Sequence, residues 1–442
     1  MPQSSVIEGF SKFSKEDKVR WIADQYFNSS IDKVDEIKQY WLADDEQQII
    51  MDGFSENVIG NHILPFSVAP NFLIDGVLHT LPMVIEESSV VAAASSAAKF
   101  WLTRGGFNTT IISTTKLGHV HFTWSGNLAL LQENQSLIFA HLMEEVAPLV
   151  VNMQKRGGGI KDILFKDLSK KVDTVFQIEV SFETCDSMGA NFINTVLEAF
   201  AAAFTNFVNS TDLFPVDHRD VEVVMSILSN YTPECLVHVE TACPVDQLGG
   251  PINDTDAITL AHKFKKAVDI ARADTYRAVT HNKGIFNGID ALILATGNDF
   301  RAVEACGHAY AARSGQYISL SSCAIESGIF QFSMDIPLAL GTVGGLTSLH
   351  PMAKIALEIL GKPSACDLMR YTAALGLAQN FAAVKSLVTT GIQKGHMRMH
   401  LQNIINHLGL SKTEAEMVNI HFCDKAISHS AIRTFVEEIR NK

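Results

Sequence analysis

The apolar periodicity of this chain changes character twice, and that switch restricts the fold more than any single motif. Over the first hundred residues the spacing reads as helices punctuated by Asp, Asn and Ser. The last of them is Ser88 to Phe100, where Val, Ala and Ser dominate and Lys99 is the only charge. From about Thr110 the period becomes two: Ile111-Ile-Ser-Thr-Thr and Leu117-Gly-His-Val-His-Phe-Thr-Trp124 read as strands. A helix follows over roughly 134–155, then Gly157-Gly-Gly159, strands near 160–165 and 175–182, the turn Asp186-Ser-Met-Gly-Ala-Asn191, and a helix over 192–208. After Val216 helical patterns resume, clearest over 254–278, and the Gly341-Thr-Val-Gly-Gly345 turn precedes further helices. Past Gln379 the chain reads as a helical tail. The pattern predicts an α+β protein in which a compact αβ unit interrupts a larger helical body.

At 442 residues the chain exceeds one ordinary core, so two or three domains are expected. Hydrophobic residues make up 47% and charged residues only 19%, which points to surface buried between subunits. The formal net charge of −13 argues against broad nucleic-acid binding, which needs clustered Lys and Arg. Cys185, Cys235, Cys243, Cys306, Cys323, Cys366 and Cys423 form no Cys-x-x-Cys pair and fit free thiols in a reducing cytoplasm. Residues 1–20 carry no apolar core of a signal peptide, and Glu144, Glu198 and Asp335 break the longest apolar stretches, so no membrane span is expected.

Four ionisable residues stand in glycine-rich, small or apolar surroundings: Glu87, Lys283 in His281-Asn-Lys-Gly-Ile-Phe-Asn-Gly288, Asp299 in Gly297-Asn-Asp-Phe-Arg301, and His396 in Lys394-Gly-His-Met-Arg-Met-His400. Charges in such segments are costly unless paired, and pairing perturbs pKa values, as active sites require. The turn at Asp186 to Asn191 precedes a helix whose free N–H groups could seat a pyrophosphate, although an ordinary helix start has the same spacing. It is not the Gly-x-Gly-x-x-Gly fingerprint. His119 and His121 share one face of a strand but lack a third ligand, so they read as sheet histidines and no metal is expected. Cys306 has no histidine beside it in sequence and reads as a buried thiol.

With their flanks, these segments resemble the class II 3-hydroxy-3-methylglutaryl-CoA (HMG-CoA) reductases. Asp186-Ser-Met-Gly-Ala-Asn191 is similar to the family's Asp-Ala-Met-Gly-Ala-Asn signature, departing at Ser187. Glu87-Ser-Ser-Val-Val-Ala-Ala-Ala-Ser95 departs from its counterpart at Ser88, where many relatives have Pro. Glu56-Asn-Val-Ile-Gly60 resembles the substrate-thioester segment, and Gly376 to Val384 the run leading into the tail. The resemblance covers roughly residues 55 to 400.

It implies a large, mostly helical domain (1–109 and 219–378), an inserted ferredoxin-like NAD(P)-binding domain (110–218) and a C-terminal flap (379–442). The implied activity is the reversible four-electron reduction of HMG-CoA to mevalonate and CoA with two NAD(P)H. A non-catalytic CoA- or nucleotide-binding protein on the same fold is the alternative. Glu87, Lys283, Asp299 and His396 are the implied catalytic residues. Lys283 would hold the oxyanion, His396 would protonate the leaving thiolate, and Asp299, between Lys283 and Glu87, would raise the glutamate's pKa. Ser89, Arg277, Asn287, Gln379, Glu56 and Asn57 would bind substrate; Asp186, Met188, Gly189, Ala190, Asn191 and Asp162 would bind the cofactor. Lys155, Arg156 and Lys161 favour the 2′-phosphate of NADPH, whereas Asp162 favours NADH, and the balance leans to NADPH. The family further implies cytoplasmic homodimers with shared active sites, and hexamers built from them.

Overall fold

The computed structural model of the protein describes residues 6–249, 256–389, 391, 401, 404–405, 407–422 and 428–440. Helices α1 (Lys15–Tyr26), α2 (Ile31–Lys38) and α3 (Asp45–Asp52) each start at a side-chain cap, Ser14, Ser30 and Asp44 in turn. A hairpin of β1 (Phe66–Ile74) and β2 (Val77–Val84) then precedes α4 (Ser88–Leu102). The all-helical expectation for this region misses the hairpin. Its local signal is Asp75-Gly76, both at positive φ (49° and 80°), the two-residue turn whose twist matches that of paired strands.

The inserted unit consists of β4 (Lys116–Trp124), α5 (Leu128–Glu133), α6 (Gln135–Gln154), β5 (Gly159–Asp167), β6 (Val175–Glu183), α7 (Ala190–Ser210) and β7 (Val221–Leu228). Its antiparallel sheet runs β5-β6-β4-β7, the ferredoxin-like β-α-β-β-α-β order with α5 added. Phe122, Phe182, Phe200 and Phe204 are buried between the sheet and its helices. Strand β3 (Asn108–Ile111) pairs with β8 (Leu236–Pro244) in the other sheet, while β7 completes this one. The unit therefore spans 116–228 rather than 110–218. Strand β7 exposes Val224, Met225 and Ile227, which blurs the alternation that would have marked it. Among the described residues α6 is the one helix long and apolar enough to cross a membrane. Here it buries Ile138, Leu142, Val146 and Val150 against the sheet instead.

In the large domain, β3, β8, β9 (Ser321–Glu326) and β10 (Ile329–Pro337) form a sheet ordered β3-β8-β10-β9. The expectation of helices after Val216 overlooks three of these strands. Their alternation is short, with Val237, Val239, Thr241 and Cys243 inward and His238 and Glu240 outward, and it is diluted by helices on either side. The helical pattern over 254–278 is two helices, α8 (Ala257–Ala273) and α9 (Thr275–Ala295), separated at Asp274, whose carboxylate accepts the Tyr276 N–H. Then come α10 (Phe300–Ala311), α11 (Leu346–Leu349), α12 (Pro351–Ile359) and α13 (Ala365–Val388).

Helix α13 buries residues on all sides and forms the centre of the domain. It runs unbroken through Gln379, so that residue is not the start of the tail. Helix α9 crosses it closely: a Cβ on Gly288 would stand 2.9 Å from the Leu375 carbonyl, and one on Gly376 2.8 Å from Ile289. Overpacking such a crossing costs about 1–3 kcal/mol. In the tail, helices Lys412–His421 and His429–Arg440 share a small core of their own, including Val418, Phe422, Ile432 and Val436.

Candidate active site

The close approach of α9 and α13, with the start of α4 beside them, creates a cavity of about 580 Å³. Glu87, Ser89, Arg277, Lys283, Asn287 and Gln379 all line it. On α9, Arg277, Thr280, Lys283, Gly284 and Asn287 follow helical spacing and so present one face. Glu87 is the N-cap residue of α4, and Ser89 donates its hydroxyl to the Glu87 carboxylate. Arg277 is half-buried and forms no ion pair with the described residues; burial lowers its pKa. An unpaired, partly desolvated guanidinium is suited to an incoming carboxylate. Gln379 is only 4% exposed, and its Oε1 has no hydrogen-bond partner among the described residues.

His281 also lines this cavity, although only Lys283 stood out in its segment of the sequence. Its Nε2 lies 2.7 Å from Ser321 Oγ, which donates to Asn380 Oδ1 at 2.8 Å. Burial, and then the Arg277 charge, push its pKa down to about 3, so the ring is neutral at physiological pH. The available signal was its position two residues before Lys283.

Asp299 does not join Glu87 and Lys283 within one chain. It caps α10, accepting the N–H groups of Arg301 and Ala302, and pairs with the Arg301 guanidinium at 3.1 Å. It lines a second cavity, of about 850 Å³, together with Ser187, Met188, Gly189, Ala190, Asn191 and the Gly344-Gly345 segment. The expectation that Asp299 stands between Lys283 and Glu87 is not met within the single chain, where the cap holds Asp299 at the start of α10 and in a different cavity from Lys283, which lies in the middle of α9.

The second cavity suits a phosphorylated ligand. Gly189 starts α7 at φ 88° without a side-chain cap, and no acidic residue stands in the first turn of α7. Its N–H groups thus meet no carboxylate there. Gly341 packs so closely that a Cβ would reach 2.4 Å from the Met188 nitrogen, whereas a Cβ on Gly344 or Gly345 would meet nothing within 4 Å. The glycines hold the turn tight on one side and leave room on the other.

Not every residue expected at this seat lines it. Asp186 turns away, its Oδ1 accepting the Ala365 N–H at 2.7 Å. Asp162 is exposed on β5, and the neighbouring Lys161 donates to Thr115 Oγ1. Glu56 and Asn57 are exposed in the loop after α3 and line neither cavity, although Phe54 of that loop stacks on His350 at the second cavity's edge.

Two motifs have structural roles. His119 hydrogen-bonds Glu179 at 3.3 Å, and burial lowers the pKa of both His119 and His121. Cys306 is buried against Thr232, and burial raises its thiol pKa. No cluster with metal-ligand geometry occurs among the described residues. His396 and Cys423 lie outside the described residues.

Fold and cavities together give a two-domain α+β protein with two separate clefts, one walled by Arg277 and Lys283 and the other by the start of α7. The chain matches the family Hydroxymethylglutaryl-coenzyme A reductase over residues 16–401. It is 36% identical to the 3-hydroxy-3-methylglutaryl-coenzyme A reductase of Archaeoglobus fulgidus, over 99% of this chain and 95% of that one. It is also 32% identical to a probable reductase of Borreliella burgdorferi, over 80% and 78% of the two chains. Among solved structures, the class II enzyme of Streptococcus pneumoniae bound to NADPH in open conformations superposes with a TM-score of 0.71. That structure is 35% identical over 87% of this chain and 100% of its own. The chain belongs to the HMG-CoA reductase family and is of its class II type, an oxidoreductase of the mevalonate pathway.

Proposed function

We propose that the first cavity holds the hydroxymethylglutaryl thioester and the second holds NADPH. The observation that carries this reading is Arg277, a half-buried guanidinium with no carboxylate partner among the described residues, in the same wall as Glu87, Lys283 and Gln379. Arg277 clamps the free carboxylate, with Ser89, Asn287 and Gln379 completing the contacts. Lys283 donates to the carbonyl oxygen as it gains negative charge, a role whose loss costs about 3 kcal/mol. Glu87 supplies the proton to that oxygen, and His396 protonates the departing CoA thiolate. When bound, NADPH would supply hydride to the thioester carbonyl carbon and, after exchange for a second NADPH, to the same carbon as an aldehyde. No step needs a metal, because the lysine provides the cation.

Because Asp299 and the nucleotide seat open on a different cavity from Lys283, a second copy of the chain brings them together. Tyr276, 90% exposed, and Val279, 51% exposed, flank Arg277 and Thr280 on α9, while Leu346 is exposed at the second cavity and Leu349 is exposed next to His350 of its lining. Apolar residues beside two polar sites suit a two-fold interface that shares them. The enzyme acts in the cytoplasm as such a dimer, or as a hexamer built from three of them. Glu56 and Asn57 reach substrate only in this assembly. The test is nicotinamide absorbance with purified protein and HMG-CoA. Two NADPH consumed per thiol released supports the reading, and one-to-one consumption with accumulating aldehyde overturns it.

A further inference from the structure

Lys116, the first residue of β4, is 4% exposed, and its ammonium points beneath the turn that starts α7. It donates to Thr184 Oγ1 at 2.6 Å and reaches the Ser187 carbonyl at 3.4 Å. Thr184, itself fully buried, donates onward to the same Ser187 carbonyl at 2.6 Å. The Ser187 hydroxyl in turn accepts the Gly189 N–H at 3.0 Å. One chain of hydrogen bonds therefore runs from the buried ammonium to the first residues of the helix.

What this charge lacks, among the described residues, is a direct ion-pair partner. The nearby carboxylates direct their hydrogen bonds to other groups. Glu183 accepts from the Thr114 hydroxyl and the Cys185 N–H, and Asp186 accepts from Ala365 on α13. Burying an ammonium among neutral acceptors is expensive unless something repays it. The uncapped positive end of α7 lies on the other side of the same turn, again without an acidic residue in its first turn. Two positive sources thus converge on residues 187–191, which form the wall of the second cavity.

We propose that Lys116 is a positioning residue for the dinucleotide: from behind the turn it fixes Ser187 and Gly189, and its charge is balanced by the bound pyrophosphate. The inference rests on the reading of the second cavity as the nucleotide seat. It assigns part of the anion affinity to a side chain that never touches the ligand. Lys116→Met removes the charge and keeps the bulk, and a buried charge replaced by an apolar residue of like volume commonly leaves a protein folded.

The experiment measures NADPH binding to the full-length protein in the absence of HMG-CoA, by nicotinamide fluorescence. Competition by 2′-AMP, which has the adenine and 2′-phosphate but no pyrophosphate, is measured alongside. The NADPH Kd of Lys116→Met should rise about tenfold or more, the size of one lost charge-assisted interaction, with 2′-AMP affinity little changed. Lys116→Arg, which keeps the charge, should recover part of the loss. If the methionine variant does not fold, Lys116→Gln serves in its place, since it still donates a hydrogen bond but carries no charge; weakened NADPH binding supports the proposal and wild-type binding overturns it. Unchanged NADPH affinity in Lys116→Met, or equal losses for NADPH and 2′-AMP, overturns it too. Failure of the wild-type protein to bind NADPH would instead overturn the reading of the cavity.

Discussion

The carboxylate of Asp186 accepts the backbone N–H of Ala365 at 2.7 Å, across 179 positions of sequence. The turn that opens the second cavity is thereby fastened to the first residue of α13, the helix that carries Gln379 into the first. A carboxylate at a helix N-terminus is favourable by up to about 1 kcal/mol, and its hydrogen bond adds a similar amount. Asp186→Ala should therefore lower stability by about 1–2 kcal/mol and raise the KM of both NADPH and HMG-CoA, since it loosens a strut rather than a contact. Urea unfolding and steady-state kinetics check this. An effect confined to the NADPH KM would mean that Asp186 touches the nucleotide directly.

The separation of Lys283 from Asp299 makes the shared site testable by mixing. Lys283→Ala alone should lose about a hundredfold or more in turnover, as for a missing oxyanion donor, with both HMG-CoA and mevaldehyde. Asp299→Asn should also be nearly inactive. Refolded or co-expressed together, the two inactive chains should recover about a quarter of wild-type activity, because each hybrid dimer contains one intact site. If mixing recovers nothing while hybrids demonstrably form, both residues serve a site within one chain.

Asp290 on α9 and Glu304 on α10 meet with their carboxyl groups in hydrogen-bond contact, and burial, then the Glu304 charge, push Asp290 up to about 8 from 3.8. Between those values the folded chain holds a proton that the unfolded chain has released. Stability from this group is therefore complete below about pH 4 and is lost progressively as the pH rises toward about 8. Asp290→Asn keeps a donor toward Glu304 without titrating. Its unfolding midpoint should fall less steeply than that of wild type between roughly pH 5 and pH 8, with the variant relatively more stable at the alkaline end. Equal slopes for the two proteins would refute the shared proton.

How much of this was legible beforehand depended on whether the signal was local. The ferredoxin-like order follows from a period-two segment, a glycine turn and two amphipathic helices, all contiguous in sequence. The substrate wall was legible because Arg277, Lys283 and Asn287 lie on one helix, and helical spacing alone puts them on one face. Asp75-Gly76 announced a hairpin, yet its strands sit among helices and their alternation is brief. Lys116 gave no sign at all: a lysine opening a strand is ordinarily solvated, and only β6 and the 184–189 turn folding over it make it buried. Nor could spacing show that Asp299 lines a different cavity from Lys283, since that depends on the α9–α10 turn and the cap that Asp299 itself provides.

The task proposed for His396 separates the two half-reactions. Only the first expels a thiolate; the second reduces an aldehyde already formed. A histidine near its ordinary pKa is suited to protonating that thiolate, and such acid catalysis contributes about a hundredfold or more. His396→Gln should therefore cripple HMG-CoA reduction while leaving mevaldehyde reduction comparatively intact. Removing the chain from Leu387 onward tests the tail as a whole. That cut falls inside the last turn of α13 but beyond Gln379, and the small tail core of Val418, Phe422, Ile432 and Val436 leaves as a unit. The shortened protein should stay folded and lose HMG-CoA turnover. It should also lose more mevaldehyde activity than the point variant if the tail, as proposed, excludes water from the site as well as bringing the acid. Rates of both half-reactions for the two variants, measured side by side, decide the matter. Equal damage to both half-reactions in His396→Gln would replace thiolate protonation with a substrate-positioning role.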